Sequence, residues 1–190
     1  MPPTHRRYPY SPITARPVYD WPDGKRLAIY VDLNLEWFAF GEGLGAELAP
    51  ARPQPDVLNY SWRDYGKRVG VFRLADLFDV WIKTRAGRIL SVPYPQELNG
   101  IPQIVARKRE GADFADMFVD AFDVLRAECD KRPLVMGIAL HPYIVGWPHR
   151  FKHLARALKH LARKADDKVW FTTSGAIAQH AAALPQGTVP

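Results

Sequence analysis

An α/β protein built on a parallel sheet is what this sequence predicts, and three observations carry the prediction. Short apolar runs alternate with longer amphipathic stretches along the chain, the pattern left when each strand is followed by a covering helix. Leu134 to Leu140 is an almost unbroken apolar run, as expected of a strand buried on both faces. His141 follows it at once, and the carboxyl ends of the strands are where ligands sit in α/β sheets.

Taken in order, residues 1–20 read as an extended arm, because Pro2, Pro3, Pro9, Pro12 and Pro17 forbid a regular helix or central strand. Trp21-Pro22-Asp23-Gly24 is a turn. Leu27 to Val31 follows as a buried strand that becomes alternating through Asp32, Asn34 and Glu36, which places those three on one face. Such a row suits either the mouth of a barrel or cleft, or a solvated sheet edge. Gly41 to Pro55 is loop. Trp62-Arg63-Asp64-Tyr65-Gly66 leads into a helix with Val71, Leu74, Leu77, Phe78 and Trp81 along one stripe.

That pattern breaks near Asp79 to Trp81 without a turn signal, and Trp81 to Thr84 with Arg88 to Val92 then suggest a hairpin about Ala86-Gly87. Pro93 to Gly100 is a stiff loop, suited to a ligand or to a plain connection. Phe114, Met117, Phe118, Ala121, Phe122 and Leu125 step by three and four, a core-facing helix with Asp113 and Asp116 near its positive end. Pro148 opens the next helix, lined by Phe151, Leu154, Leu158 and Leu161; Lys168 to Phe171 is a last strand; Ser174 caps a final Ala-rich helix. The chain is expected to form one domain over 21–184, with a flexible tail over 185–190.

The totals narrow the classes of function. At 190 residues there is room for one sizeable core, and 26 Lys+Arg against 20 Asp+Glu give a net charge of +6. The single cysteine, Cys129, excludes an internal disulfide, suits a reducing compartment, and at helical spacing from Phe118 and Phe122 is a small buried apolar residue. No stretch has the length and hydropathy of a signal peptide or membrane span, so a cytoplasmic protein is expected. The basic line after Pro148 lacks interleaved aromatics, which disfavours nucleic acid as a partner.

Amide hydrolysis needs a water made nucleophilic, a donor to the leaving nitrogen and a group to hold the developing oxyanion. Glu36 or Asp32 is placed to be the base and His141 the acid, while a bound divalent metal would take over part of the work. As a bland alternative, His141 is a hydrogen-bonded core histidine.

At these residues the sequence resembles the NodB-type polysaccharide deacetylases, and among them the allantoinase-like branch. The resemblance runs through AIYVDLNLEWF, SWRDYGKRVGVFRLADLFD, TRAGRILSVPYPQELNGIP, GADFADMFVDAFDVL and ALHPYIVGWPHRFKHLARAL. It implies a deformed (β/α) barrel that hydrolyses carbon-nitrogen bonds in N-acetylated sugars, ureides or cyclic imides. It sets Glu36 at the first acid of the family's opening motif and His141 at the histidine of its late Leu-x-Leu-His motif. Trp37 stands where metal-dependent members carry a metal-binding aspartate and is unable to ligate one, so no metal ligand is assigned. His149 and His153, one helical turn apart, come too late in the chain and sit among Arg150, Lys152 and Arg156, a poor setting for a cation.

The family's second motif, with its paired histidines, and the following Arg-Pro loop have no counterpart before Val80. The expected fold is therefore a partial barrel that lacks several central βα units, the deletion falling near 79–81. The resemblance implies a small-molecule amide or N-acetylated sugar as substrate, and the strand-end row and the stiff loop offer Asp32, Asn34, Glu97 and Asn99 as its contacts. A barrel with missing units would expose sheet edges, so a homo-oligomer is expected, and no membrane partner. The rival expectation is a catalytically impaired remnant that works as a binding or interaction protein.

Overall fold

The computed structural model describes residues 16–36, 40, 57–71, 73, 92, 94–185 and 188. The apolar run after the Trp21 turn forms β1 (Leu27–Leu33), the run before His141 forms β2 (Leu134–Leu140), and Val169–Thr172 forms β3. Among the described residues they make a parallel sheet in the order β2-β1-β3, with Leu27 opposite both Leu134 and Val169. The first of the described strands is thus the central one. Asp23 and Gly24 take φ of 58° and 72° in the turn before it, and the Trp21 N–H reaches the Lys25 carbonyl at 2.9 Å.

The helices are α1 (Val57–Tyr65), α2 (Gly111–Glu128), α3 (Pro142–Val145), α4 (Pro148–Lys164) and α5 (Ser174–Ala183). Strand alternation sends Leu27 and Ile29 to one face of the sheet, where they join Met136, Ile138, Leu140 and Val169. Onto that face α2 lays Phe114, Phe118 and Phe122, and α4 lays Leu154, Ala157 and Leu161. Each such fully buried phenylalanine or leucine contributes on the order of 1.5–3 kcal/mol. Asp116 with Arg156, Asp123 with His160 and Asp166 with Arg126 tie the neighbouring surfaces, though exposed pairs of this kind add at most about 1 kcal/mol each.

The opposite face is thinner. Ala28 and Tyr30 meet Trp21 and, from α5, Ile177, with Tyr19, Val92, Val135 and Trp170 at the margin. The Trp21 indole donates to the Leu134 carbonyl at 3.1 Å, and the Arg26 guanidinium gathers the carbonyls of Tyr19 and Cys129 and the Asp20 carboxylate. The last residues of the expected arm are therefore docked beneath the sheet. Cys129 is buried, as its spacing requires.

Several local expectations need correction. Trp62 to Tyr65 do lead into helical chain, since Val71 and Arg73 are helical, but they already lie inside α1, which begins at Val57 and passes into a π-helical turn, Gly66–Gly70. The π-helical turn lies against α3: a Cβ on Gly66 would sit 1.9 Å from the Tyr143 Cα, so only glycine allows that approach. Thr173, not Ser174, caps α5, its hydroxyl accepting the Ala176 N–H at 3.1 Å. Ile101–Ala106 and α3 are short helical pieces opened by Pro102 and Pro142, too brief to show a period in sequence. β1 ends at Leu33, so alternation no longer holds Asn34 and Glu36 on the face of Asp32. Thr188, within the expected tail, is buried.

The Gly41 to Pro55 loop lies outside the described residues. So do Trp37, the stripe from Leu74 to Trp81, the junction near 79–81, Pro93 and the hairpin apart from Val92.

Candidate active site

β2 delivers His141 to the carboxyl end of the sheet, and the following proline turns the chain straight into α3. The imidazole is 3% exposed. Burial lowers its pKa below the ordinary histidine value, opposed by the nearby Glu36 carboxylate, so the ring is neutral at pH 7 and carries a single N–H. Glu36, three residues past the end of β1, has thus come round to His141. Glu36 Oε2 and His141 Nδ1 are both buried with no hydrogen-bond partner among the described residues. Leaving such an atom unsatisfied costs about 1–3 kcal/mol. Two of them on interacting side chains mark a place where a ligand's polar groups would relieve the cost.

The surroundings hold this pair firmly. A Cβ added at Gly100 would lie 3.8 Å from His141 Nδ1, so the main chain there forms one wall. The Tyr143 ring stands edge-on to His141 at 5.8 Å, and Trp62 edge-on to Tyr143 at 5.2 Å. Behind them Tyr65 stacks on Trp147 at 3.9 Å, and the Arg73 guanidinium donates to the Tyr65 hydroxyl at 2.7 Å and the Gly146 carbonyl at 2.9 Å. Asn59, Arg63 and Gln103 are buried polar residues of the same region's helices.

The other expected contact residues separate. Asp32 accepts a hydrogen bond from the Ser174 hydroxyl; burial pushes its pKa up, and that bond opposes the rise. The Asn34 side-chain amide donates to the Tyr94 hydroxyl at 3.0 Å and to the Leu140 carbonyl at 3.2 Å, and its backbone N–H reaches the same carbonyl at 2.8 Å. It splices the end of β1 to β2 beside His141. Asn99 is committed to structure: its Oδ1 accepts the Ile101 N–H at 2.9 Å, and its backbone bridges to Ala139. Glu97 is exposed and faces an apolar groove of about 560 Å³ between β2 and α2, walled by Leu98, Met117, Val124 and Met136; neither Glu36 nor His141 lines it.

Sequence reasoning therefore reached Glu36 and His141 but missed Tyr94, Ser174 and Tyr143 as members of this end of the sheet. Tyr94 had a signal, an aromatic between two prolines. Ser174 was masked by its plausibility as a cap.

Among the described residues no three His, Cys, Asp or Glu side chains converge to hold an ion. His149 and His153 lie on the outer part of α4 with no third ligand there. A resident divalent ion thus does not fit the described residues. No described helix is long and apolar enough to cross a membrane.

No family model matches the chain. Over 93 residues, 48% of the chain, it is 38% identical to a Schizosaccharomyces pombe protein described as "Putative polysaccharide deacetylase", and the match spans 28% of that protein's length. Among solved structures it superposes on one described as "probable Polysaccharide deacetylase" from Pseudomonas aeruginosa PAO1. The TM-score is 0.71 at 20% identity, covering 96% of this chain and 100% of that one. It also superposes on PuuE allantoinase with a TM-score of 0.65 at 20% identity, covering 92% and 95%. At that identity the likeness is one of fold. The resemblance to the deacetylases read from the sequence recurs in the Schizosaccharomyces pombe relative and in the first of these structures, and an allantoinase shares the fold.

Proposed function

We propose that this chain, which shares the fold of a polysaccharide deacetylase and an allantoinase, hydrolyses the amide carbon-nitrogen bond of a small ureide, cyclic imide or N-acetylated sugar. The observation that supports it is the half-buried Glu36 beside the buried His141 at the carboxyl end of the two paired strands, each with a buried, unsatisfied polar atom among the described residues. Glu36, as carboxylate, takes a proton from water as the water oxygen bonds to the amide carbon. The carbonyl π electrons move to oxygen, and the neutral His141 N–H is the donor for that oxyanion or for the leaving nitrogen. Collapse breaks the carbon-nitrogen bond, the proton held on Glu36 passes to nitrogen, and acid and amine leave. General acid-base steps of this kind contribute about 10²- to 10⁴-fold.

A cytoplasmic setting, part of the same proposal, favours a ureide or imide over a wall polysaccharide. The second reading is a catalytically impaired remnant that binds another chain or a second copy of itself, and the apolar groove between β2 and α2 is the observation in its favour.

The test is hydrolysis of allantoin, a cyclic imide and N-acetylglucosamine by the folded chain beside His141→Ala and Glu36→Gln. Turnover of one substrate, lost by roughly 10²-fold or more in both variants, is the expected result. A folded chain that turns over none of the three sinks the hydrolase proposal and favours the remnant.

A further inference from the structure

The amide-cleaving pair has a polar neighbour that the mechanism leaves idle. At the carboxyl ends of β1 and β3, Asp32 bonds Ser174, and beside them Asn34 holds the Tyr94 hydroxyl at 3.0 Å. Tyr30 joins this group from below. Its ring lies across Gly137, where a Cβ would come within 2.6 Å of the phenol oxygen, and its pKa is pushed up to about 12 by burial, then by Asp32 and Tyr94. Tyr94 and Tyr30 therefore approach each other on the side of the sheet that carries Asp32.

Tyr94 is the odd member. Its hydroxyl is tethered, yet the residue is 43% exposed. Pro95 follows it and stiffens the loop, so the ring is presented to solvent in a fixed pose at low entropic cost, the condition in which an aromatic makes a good contact surface. The loop that carries it continues to Gly100, the main-chain wall of His141. Asn34 joins the two places, because the carbonyl it binds belongs to Leu140, the residue before His141.

We propose that Tyr94 is a substrate-contacting, specificity-determining residue whose tethered ring walls a subsite floored by Asp32 and Ser174. The subsite takes the uncharged, N–H- or O–H-rich body of the amide cleaved at Glu36 and His141. The proposal rests on the hydrolase function above. The charge class follows from the described residues of the lining, where the ionisable acid is Asp32 and the group bonded to it is a hydroxyl rather than a cation. A ligand carboxylate would meet like charge there, whereas ureide N–H groups or sugar hydroxyls would find acceptors.

The test uses the full chain with His141→Ala, so that binding is read without turnover, and ligand-observed NMR titration with allantoin and N-acetylglucosamine as probes. Saturable binding of at least one probe is expected, weakened about tenfold by Tyr94→Ala and about threefold by Tyr94→Phe, with unchanged melting temperatures. An analogue of the bound probe that carries a carboxylate should bind at least tenfold more weakly. Equal affinity for Tyr94→Ala and its parent overturns the proposal, as does the absence of saturable binding to either probe. If Tyr94→Ala does not fold, an unchanged affinity in Tyr94→Phe overturns it. In the active background, kcat/KM unchanged by Tyr94→Ala removes Tyr94 and leaves the hydrolase standing; binding without any turnover removes the hydrolase and leaves Tyr94 to be judged by affinity.

Discussion

Replacing Gly66 by alanine should unseat the helix that backs His141. The new methyl carbon would lie 1.9 Å from the Tyr143 Cα and 2.2 Å from its nitrogen, and both are main-chain atoms that no rotamer change can remove. Carbon contacts relax near 3.5 Å, so α1 must retreat by roughly 1.5 Å. Ordinary overpacking costs about 1–3 kcal/mol where neighbours yield. Here the retreat also loosens the Trp62 contact with Tyr143 and the Tyr65 stack on Trp147, so the expected loss is about 3 kcal/mol or more. For a domain of this size each 1 kcal/mol moves the melting midpoint by roughly 2–4 °C, which predicts a fall of about 6–12 °C. Calorimetry on Gly66→Ala beside Gly175→Ala is the assay. The control has only the Thr173 hydroxyl at 3.8 Å near the new methyl and lies in the first turn of α5, so it should melt within a few degrees of the parent. A Gly66→Ala midpoint within 2 °C of the parent, with hydrolysis unchanged, would refute the claim that α1 and α3 are locked at this glycine.

Two pH effects follow from burial. The His141 pKa is lowered in the folded chain, so the unfolded chain takes up this proton first as pH falls through about 6.5. Stability should therefore drop between pH 7 and pH 5, and His141→Gln should flatten that part of the profile in thermal melts. Asp32 has the opposite sign. Its pKa is raised, so its stability contribution is full below about pH 3.9 and is lost as pH rises through the higher folded value. Asp32→Asn, which keeps an acceptor for Ser174, should melt higher than the parent at pH 7 and no higher at pH 3.

What the sequence revealed was whatever is written locally. The apolar run of β2 with His141 at its end, and the Phe114, Phe118 and Phe122 stripe of α2, are one-element patterns, and each is found where its pattern places it. The end of β1 is not written that way. Pleat alternation predicts a row of Asp32, Asn34 and Glu36 only while the strand continues, and nothing in Leu35 or Glu36 announces that pairing stops at Leu33. The choice of Thr173 over Ser174 as cap is one between two good caps, which nothing in the local sequence separates. Asn34 and Tyr94 stand 60 residues apart, and a single sequence holds no trace of such a pairing. The same is true of Gly66 against Tyr143, where the glycine is visible but the partner that demands it is not.

The central place of β1 also bears on how the chain is born. Of the described strands β1 emerges first on the ribosome, and its described partners begin only at Leu134 on one side and Val169 on the other. At about 5–20 residues per second, the last of them follows roughly 7–30 s later. Both pairings are long-range closures, the kind that slow folding most. Until then Leu27 to Val31 is an apolar, two-edged strand in need of protection. Nascent chains stopped before Val169 should accordingly be held by chaperones or lost, and those released beyond it should not.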